Sequence, residues 1–228
     1  GLRRSAVDGQ SSDRNAKFCV RIEGRMFPVK EHFLEDALEW TGFEVPSASR
    51  APPHIVEQVR ERLLAGRGRA YSDKTVRSVA MIGEKDVHFG LMKELTLLFH
   101  NTALRLGDRG RSGILIFLPG WRDICELYEK LRYEPGIWAL TLHSNISPED
   151  QQRVFDSPPL GQRKVILSTN IAETSVTVDD IAFVINSGVM KERVFDTDRH
   201  IGALETSMNT WANVVQRRGR VGRTQEGV

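Results

Sequence analysis

Residues 113–118 read GILIFL, an apolar run closed behind by Pro119 and Gly120. Its uninterrupted apolar character suits a parallel strand covered on both faces rather than a half-exposed one. On its N-terminal side Val87, Leu91, Leu95 and Leu98 recur on one face of a helix. On its C-terminal side helix and strand alternate. Ile124, Leu127, Tyr128 and Leu131 mark a helix, WALTLH (138–143) a strand, 148–155 a short helix, and KVILS (164–168) and IAFVINS (181–187) two further strands. This rhythm predicts an α/β fold, a doubly wound parallel sheet flanked by helices.

Farther out the rhythm changes. VMKERVF and IGALETS flank the polar DTDRH, so residues 189–206 predict a β-hairpin laid beside the sheet. Residues 211–223 read as a helix breaking into a Gly/Arg loop. Toward the N-terminus, residues 1–17 read as a flexible tail and 18–29 as a strand that turns, followed by a helix carrying Phe33, Leu34, Ala37 and Leu38. Residues 43–53 form a Pro/Ser loop, Ile55 to Leu64 a helical stripe that stops at Gly66, and 66–85 a polar, loose connection. Residues 43–85 are therefore expected to be rich in loops.

The composition is ordinary for a globular chain: of 228 residues 40% are hydrophobic and 27% charged, which excludes collagen, a coiled coil and a wholly disordered protein. No apolar stretch approaches the ~20 residues of a membrane helix, and the polar, basic start lacks the apolar core of a signal peptide. An intracellular protein with no membrane partner is the expectation. Cys19 and Cys125 are too few for a disulfide framework and lack metal-ligand spacing, so no metal site is expected. Of the net charge of +2, the first thirty residues hold +4 and the last eighteen +3, leaving −5 between them. Two basic ends are compatible with a phosphate-bearing partner.

In open parallel sheets ligands bind where loops leave the carboxyl ends of strands. Three such exits are unusually polar: LHSNI (142–146), STNIAETSVTV (168–178) and QRRGRVGR (216–223). The second places Ser168, Thr169, Asn170, Glu173, Thr174, Ser175 and Thr177 around one helix start, more hydrogen-bonding groups than a single cap uses. The third packs Arg217, Arg218, Arg220 and Arg223 around Gly219 and Gly222. Four such cations repel one another unless an anion faces them, and the glycines let backbone approach closely.

These motifs, in this order, resemble the second RecA-like domain of a DEAH-box RNA helicase of superfamily 2. The likeness runs from Cys19 through IEGRMFPV, FLPGWRDI (117–124), LHSNI, the Gln151-Gln152 to Phe155 segment, STNIAETSVTVDD and QRRGRVGR. It implies a RecA-like fold and an ATP-dependent helicase or translocase acting on single-stranded RNA.

By that resemblance Gln216 helps place the attacking water, and Arg220 and Arg223 are arginine fingers. Thr177 and Asp179 meet the ribose and Phe155 stacks on the base, while Ser144, Thr169, Asn170 and Thr174 contact the RNA backbone. Thr210 and Trp211 stand where the family often has Ser-Lys or Ser-Arg. The chain holds no G-x-x-x-x-G-K-[ST] loop and no D-E-A-H motif. The resemblance therefore has ATP, or another NTP, and Mg²⁺ held jointly with a first RecA-like domain, the metal ligands coming from that domain. Further C-terminal helicase domains of the same protein are expected partners, and this lobe alone is expected to be inactive. A non-enzymatic RNA-binding scaffold built on the same fold, and a DNA helicase of the same superfamily, remain alternatives at this stage.

Overall fold

The computed structural model describes residues 27–108, 112–174, 176–196 and 201–228, without the side chains of Thr174, residues 193–196, Ile201 and Ala203. The expected tail over 1–17 and most of the expected strand over 18–29 lie outside the described residues. Helix α1 (Leu34–Thr41) is followed by α2 (Pro53–Arg67), which starts on Pro53, where a missing N–H costs nothing.

Helix α3 (Asp73–Met81) corrects the expectation of a loose connection over 66–85. Ser72 caps it by accepting the Thr75 N–H, and Val76 and Val79 pack with Val59, Leu63 and Tyr71 in a small separate core. Its apolar positions are few and interleaved with charge, so the pattern that α3 buries becomes visible only beside α2.

Helix α4 (Phe89–Arg105) leads into β1 (Gly113–Phe117), α5 (Trp121–Leu131), β2 (Ile137–Leu142), α6 (Pro148–Gln152), β3 (Arg163–Ser168), α7 (Ile171–Thr174) and β4 (Ile181–Asn186). These four strands form one parallel sheet in the order β2-β3-β1-β4. Every residue of β1 is buried, as its apolar run requires of a central strand.

Alternate β1 side chains enter two cores. Ile114 and Ile116 meet Met92 and Leu95 of α4 with Ile124, Leu127 and Leu131 of α5. Leu115 and Phe117 face the opposite layer, where Leu142, Val154, Ile166, Ala172 and Val221 gather. The parallel sheet between helical layers is the expected α/β architecture.

Beyond it, β5 (Val189–Asp196) and β6 (Ile201–Met208) pair antiparallel as a separate two-stranded sheet, two residues longer at its end than expected. Helix α8 (Trp211–Arg218) follows, capped by Thr210, whose hydroxyl accepts the Asn213 N–H. The outer edge of β4 is covered, since Val184 N–H donates to Val228 and Val228 N–H to Ala182, at 2.8 and 2.9 Å. No helix among the described residues is long and apolar enough to cross a membrane.

Candidate functional site

Because the four strands are parallel, their carboxyl ends share one edge. A cleft of about 1030 Å³ opens there, lined among others by Trp121, His143, Ser144, Thr169, Asn170 and Lys191. Ser144 and Asn170 are exposed and Thr169 half-buried. Ser168 is fully buried, with its hydroxyl 3.2 Å from the Leu142 carbonyl, so the loops that carry Ser144 and Thr169 are pinned to each other at their roots. Thr174 belongs to α7, but its side chain lies outside the described residues.

His143 also borders the cleft. Its Nδ1 accepts the Asn145 N–H at 3.1 Å, and burial holds its pKa below the ordinary imidazole value, so it is uncharged at neutral pH. At the root of α5 a Cβ on Gly120 would stand 2.8 Å from Lys191 Nζ. A glycine there lets Lys191 reach Asp123, 3.2 Å away.

The second core face carries the arginines. Arg217 is buried, with Nε 2.6 Å from Glu173 Oε1, and its guanidinium lies 4.8 Å from the Phe117 ring centroid. Asn186 Oδ1 accepts from Arg217 Nη1 at 2.6 Å, from Asn209 Nδ2 at 2.8 Å and from Gly188 N–H at 3.1 Å. Arg218 pairs with Glu31 instead. Two of the four arginines thus find their counter-charge inside the chain, which leaves Arg220 and Arg223 without an ion pair among the described residues. The close approach expected of the glycines is likewise internal at Gly222, which has φ +74° and would place a Cβ 2.8 Å from the Phe27 carbonyl.

Arg220 and Arg223 differ from their neighbours. Arg220 donates to the carbonyls of Glu173 and Val176, Arg223 to that of Gly219, and neither pairs with a carboxylate among the described residues. Burial first, and then the neighbouring Arg223 charge, lower the Arg220 pKa, and its buried Nε has no partner among the described residues. Both arginines border a small cavity with Val176 and Val178. Thr177 and Asp179 are exposed on the same connection, and the Thr224 hydroxyl donates to the Asp179 carbonyl at 2.7 Å. Gln216 is exposed on α8.

Phe155 is 57% exposed on the turn after α6. That turn is joined to the Asp179-Asp180 turn by one buried ammonium: Lys164 Nζ lies 2.9 Å from the Val154 carbonyl and 2.9 Å from Asp180 Oδ2. The structure therefore ties the Phe155 turn to the Asp179-Asp180 turn, sets Arg220 and Arg223 beside the Val176–Val178 connection, and brings Ser144, Thr169 and Asn170 into the cleft at the carboxyl edge.

Residues 96–225 match the helicase conserved C-terminal domain. The chain belongs to this family. Its relatives make it a C-terminal RecA-like domain of the DEAH-box type in superfamily 2. ATP-dependent RNA helicase DHX30 of Rattus norvegicus is 37% identical over 214 residues, covering 91% of this chain and 15% of that protein. Putative ATP-dependent RNA helicase DHX57 of Mus musculus is 31% identical over 276 residues, covering 100% of this chain and 20% of that protein. Among solved structures, the Escherichia coli DEAH/RHA helicase HrpB superposes with a TM-score of 0.56 at 26% identity, over 90% of this chain and 20% of that one. The chain thus spans a fifth or less of the length of these relatives.

Several positioning residues of this helicase domain carry no motif of their own. Lys164 and Asn186 belong to strands that read as plain core, and a buried ammonium or a half-buried carboxamide leaves no mark on apolar periodicity. Arg217 stands within a motif whose arginines look alike in sequence, and only burial separates it from Arg220. Among the described residues no cluster of His, Cys, Asp or Glu has the makings of a metal site.

Proposed function

We propose that this chain is the C-terminal lobe of an ATP-dependent RNA helicase, contributing arginine fingers to a nucleotide site shared with a first RecA-like domain and half of a single-stranded RNA track. The observation that carries this reading is the Arg220–Arg223 pair. Burial and the neighbouring Arg223 charge lower the Arg220 pKa, the Glu173 charge offsets this only in part, and neither arginine forms an ion pair among the described residues. A polyanion on this face would relieve that repulsion and give Arg220 Nε the acceptor it lacks. A triphosphate fits this donor set.

In that reading Arg220 and Arg223 act on charge that grows on the transferring phosphoryl group, and arginines so placed contribute about 10³- to 10⁵-fold in rate. Gln216 orients the attacking water, Phe155 stacks on the base, and Thr177 and Asp179 meet the ribose. Mg²⁺, held by ligands of the first domain, would add neutralisation of phosphate charge to that supplied by these arginines. Ser144, Thr169, Asn170 and Thr174 hold the RNA backbone with short neutral donors, which set register without reading base sequence.

Phosphate release by the full-length protein, with and without single-stranded RNA, tests the reading. RNA should stimulate the wild type, and Ser144→Ala/Thr169→Ala should lose most of that stimulation while keeping basal turnover. The lobe expressed alone should release no phosphate, because it lacks the phosphate loop and metal ligands. RNA-stimulated release from the isolated lobe, or full stimulation of the double variant, would contradict the assignment.

A further inference from the structure

Trp121, the first residue of α5, is half-buried. Part of its indole packs against the first core, and the side chain also borders the cleft shared by Ser144, Thr169 and Asn170. Its ring centroid is 5.3 Å from that of His143, at an interplanar angle of 42°. Burial keeps His143 uncharged, so the two rings form an apolar, polarisable wall.

The charges around this wall nearly cancel. Arg122 and Lys191 stand among Asp123, Glu126 and Glu192, and Lys191 is already drawn to Asp123 at 3.2 Å. Such a rim offers little to a phosphate. It suits an uncharged planar group, while the hydroxyl and amide groups of Ser144, Thr169 and Asn170 beside it suit a sugar-phosphate backbone. A single-stranded polynucleotide brings both chemistries together, because its bases are unpaired and present their faces.

We propose that Trp121, backed by His143, is a stacking subsite for one nucleobase of the strand held at this edge. The inference rests on the RNA reading of the cleft given above and adds a contact to the base where that reading has only backbone contacts. A stacking subsite tolerates any base, since every base has a π-face, so it adds affinity without sequence selectivity.

The test uses the full-length protein and fluorescently labelled single-stranded RNA, either intact or carrying one abasic nucleotide moved along the strand. Trp121→Leu retains apolar packing against the core while removing the aromatic face, and Trp121→Phe retains an aromatic face. Trp121→Leu should weaken binding of intact RNA about 5- to 150-fold, and Trp121→Phe should restore most of it. In the wild type one abasic position should produce a comparable loss, and Trp121→Leu should add nothing to it. Equal losses on intact RNA and on every abasic strand would mean that Trp121 only supports the fold, and the proposal fails. It also fails if Ser144→Ala/Thr169→Ala weakens binding and Trp121→Leu does not. If neither variant changes RNA affinity, the RNA reading of the cleft falls with it.

Discussion

Glu173 holds Arg217 with its carboxylate, Nε to Oε1 at 2.6 Å, and the main-chain carbonyl of the same residue accepts a hydrogen bond from Arg220. Both side chains of the ion pair are buried. One residue of α7, three positions after Asn170 at the cleft, therefore fixes both α8, which carries Gln216, and Arg220 just beyond that helix. Removing half of a buried pair strands a charge, whereas removing both with apolar groups of similar volume is often neutral. Glu173→Ala should lower unfolding free energy by about 3–5 kcal/mol, and Glu173→Leu/Arg217→Met should recover most of that, as read by chemical denaturation. A single variant with wild-type stability would mean the pair is not formed.

The buried ammonium of Lys164 gives a different outcome. It ties the Phe155 turn to the turn that carries Asp179, through Val154 and Asp180. Lys164→Met should loosen both turns at once and raise KM for nucleotide about tenfold, with kcat at saturation changing less. Steady-state kinetics measures this, and an unchanged KM would remove Lys164 from the account.

The strands of the sheet are legible in the sequence, and helix α3 is not. GILIFL, WALTLH, KVILS and IAFVINS announced four strands, and Ile137–Leu142, Arg163–Ser168 and their neighbours follow them closely, because buried parallel strands leave an unbroken apolar run. The buried face of α3 consists of Val76 with Thr75 and Ser78, and two of these three are polar; Ser78 serves instead by accepting the Val45 N–H. Motif wording points to Ser144, Thr169 and Asn170 at the cleft, but it does not divide the labour among four arginines. Which of them meets Glu173 depends on where α8 lands on the sheet, a long-range fact without a local signature.

Gly222 shows the same limit in another form. The sequence suggested close approach by a ligand, yet the approaching group is the chain itself: Phe27 N–H donates to the Gly222 carbonyl at 2.8 Å. With φ +74° and a would-be Cβ 2.7 Å from Val29 Cγ2, Gly222→Ala should cost at least about 1–3 kcal/mol. That corresponds to a melting temperature lower by several degrees, measured by calorimetry. A variant melting with the wild type would show that Phe27–Val29 does not pack here.

Acid should weaken the fold partly through His100. Burial, and then the Arg163 charge, lower its pKa below 6.5. Above that value neither the folded nor the unfolded chain protonates it, so nothing is lost. Below it the unfolded chain takes up a proton that the folded one refuses, and stability falls with each step down in pH until the folded pKa is reached. Between pH 7 and 5 the decline should be shallower in His100→Gln than in wild type, as read from denaturation midpoints. Parallel declines would place the sensitivity elsewhere.

If Arg220 and Arg223 act on the transferring phosphoryl group, the turnover of the full-length protein must respond to Arg220→Ala and to Arg223→Ala. An arginine that meets charge only as it develops lowers kcat and leaves substrate binding nearly alone. In either variant kcat for RNA-stimulated hydrolysis should fall by about 10³-fold or more, with nucleotide affinity changed far less. Wild-type kcat in both variants would contradict that role and leave an RNA-binding lobe without a catalytic part.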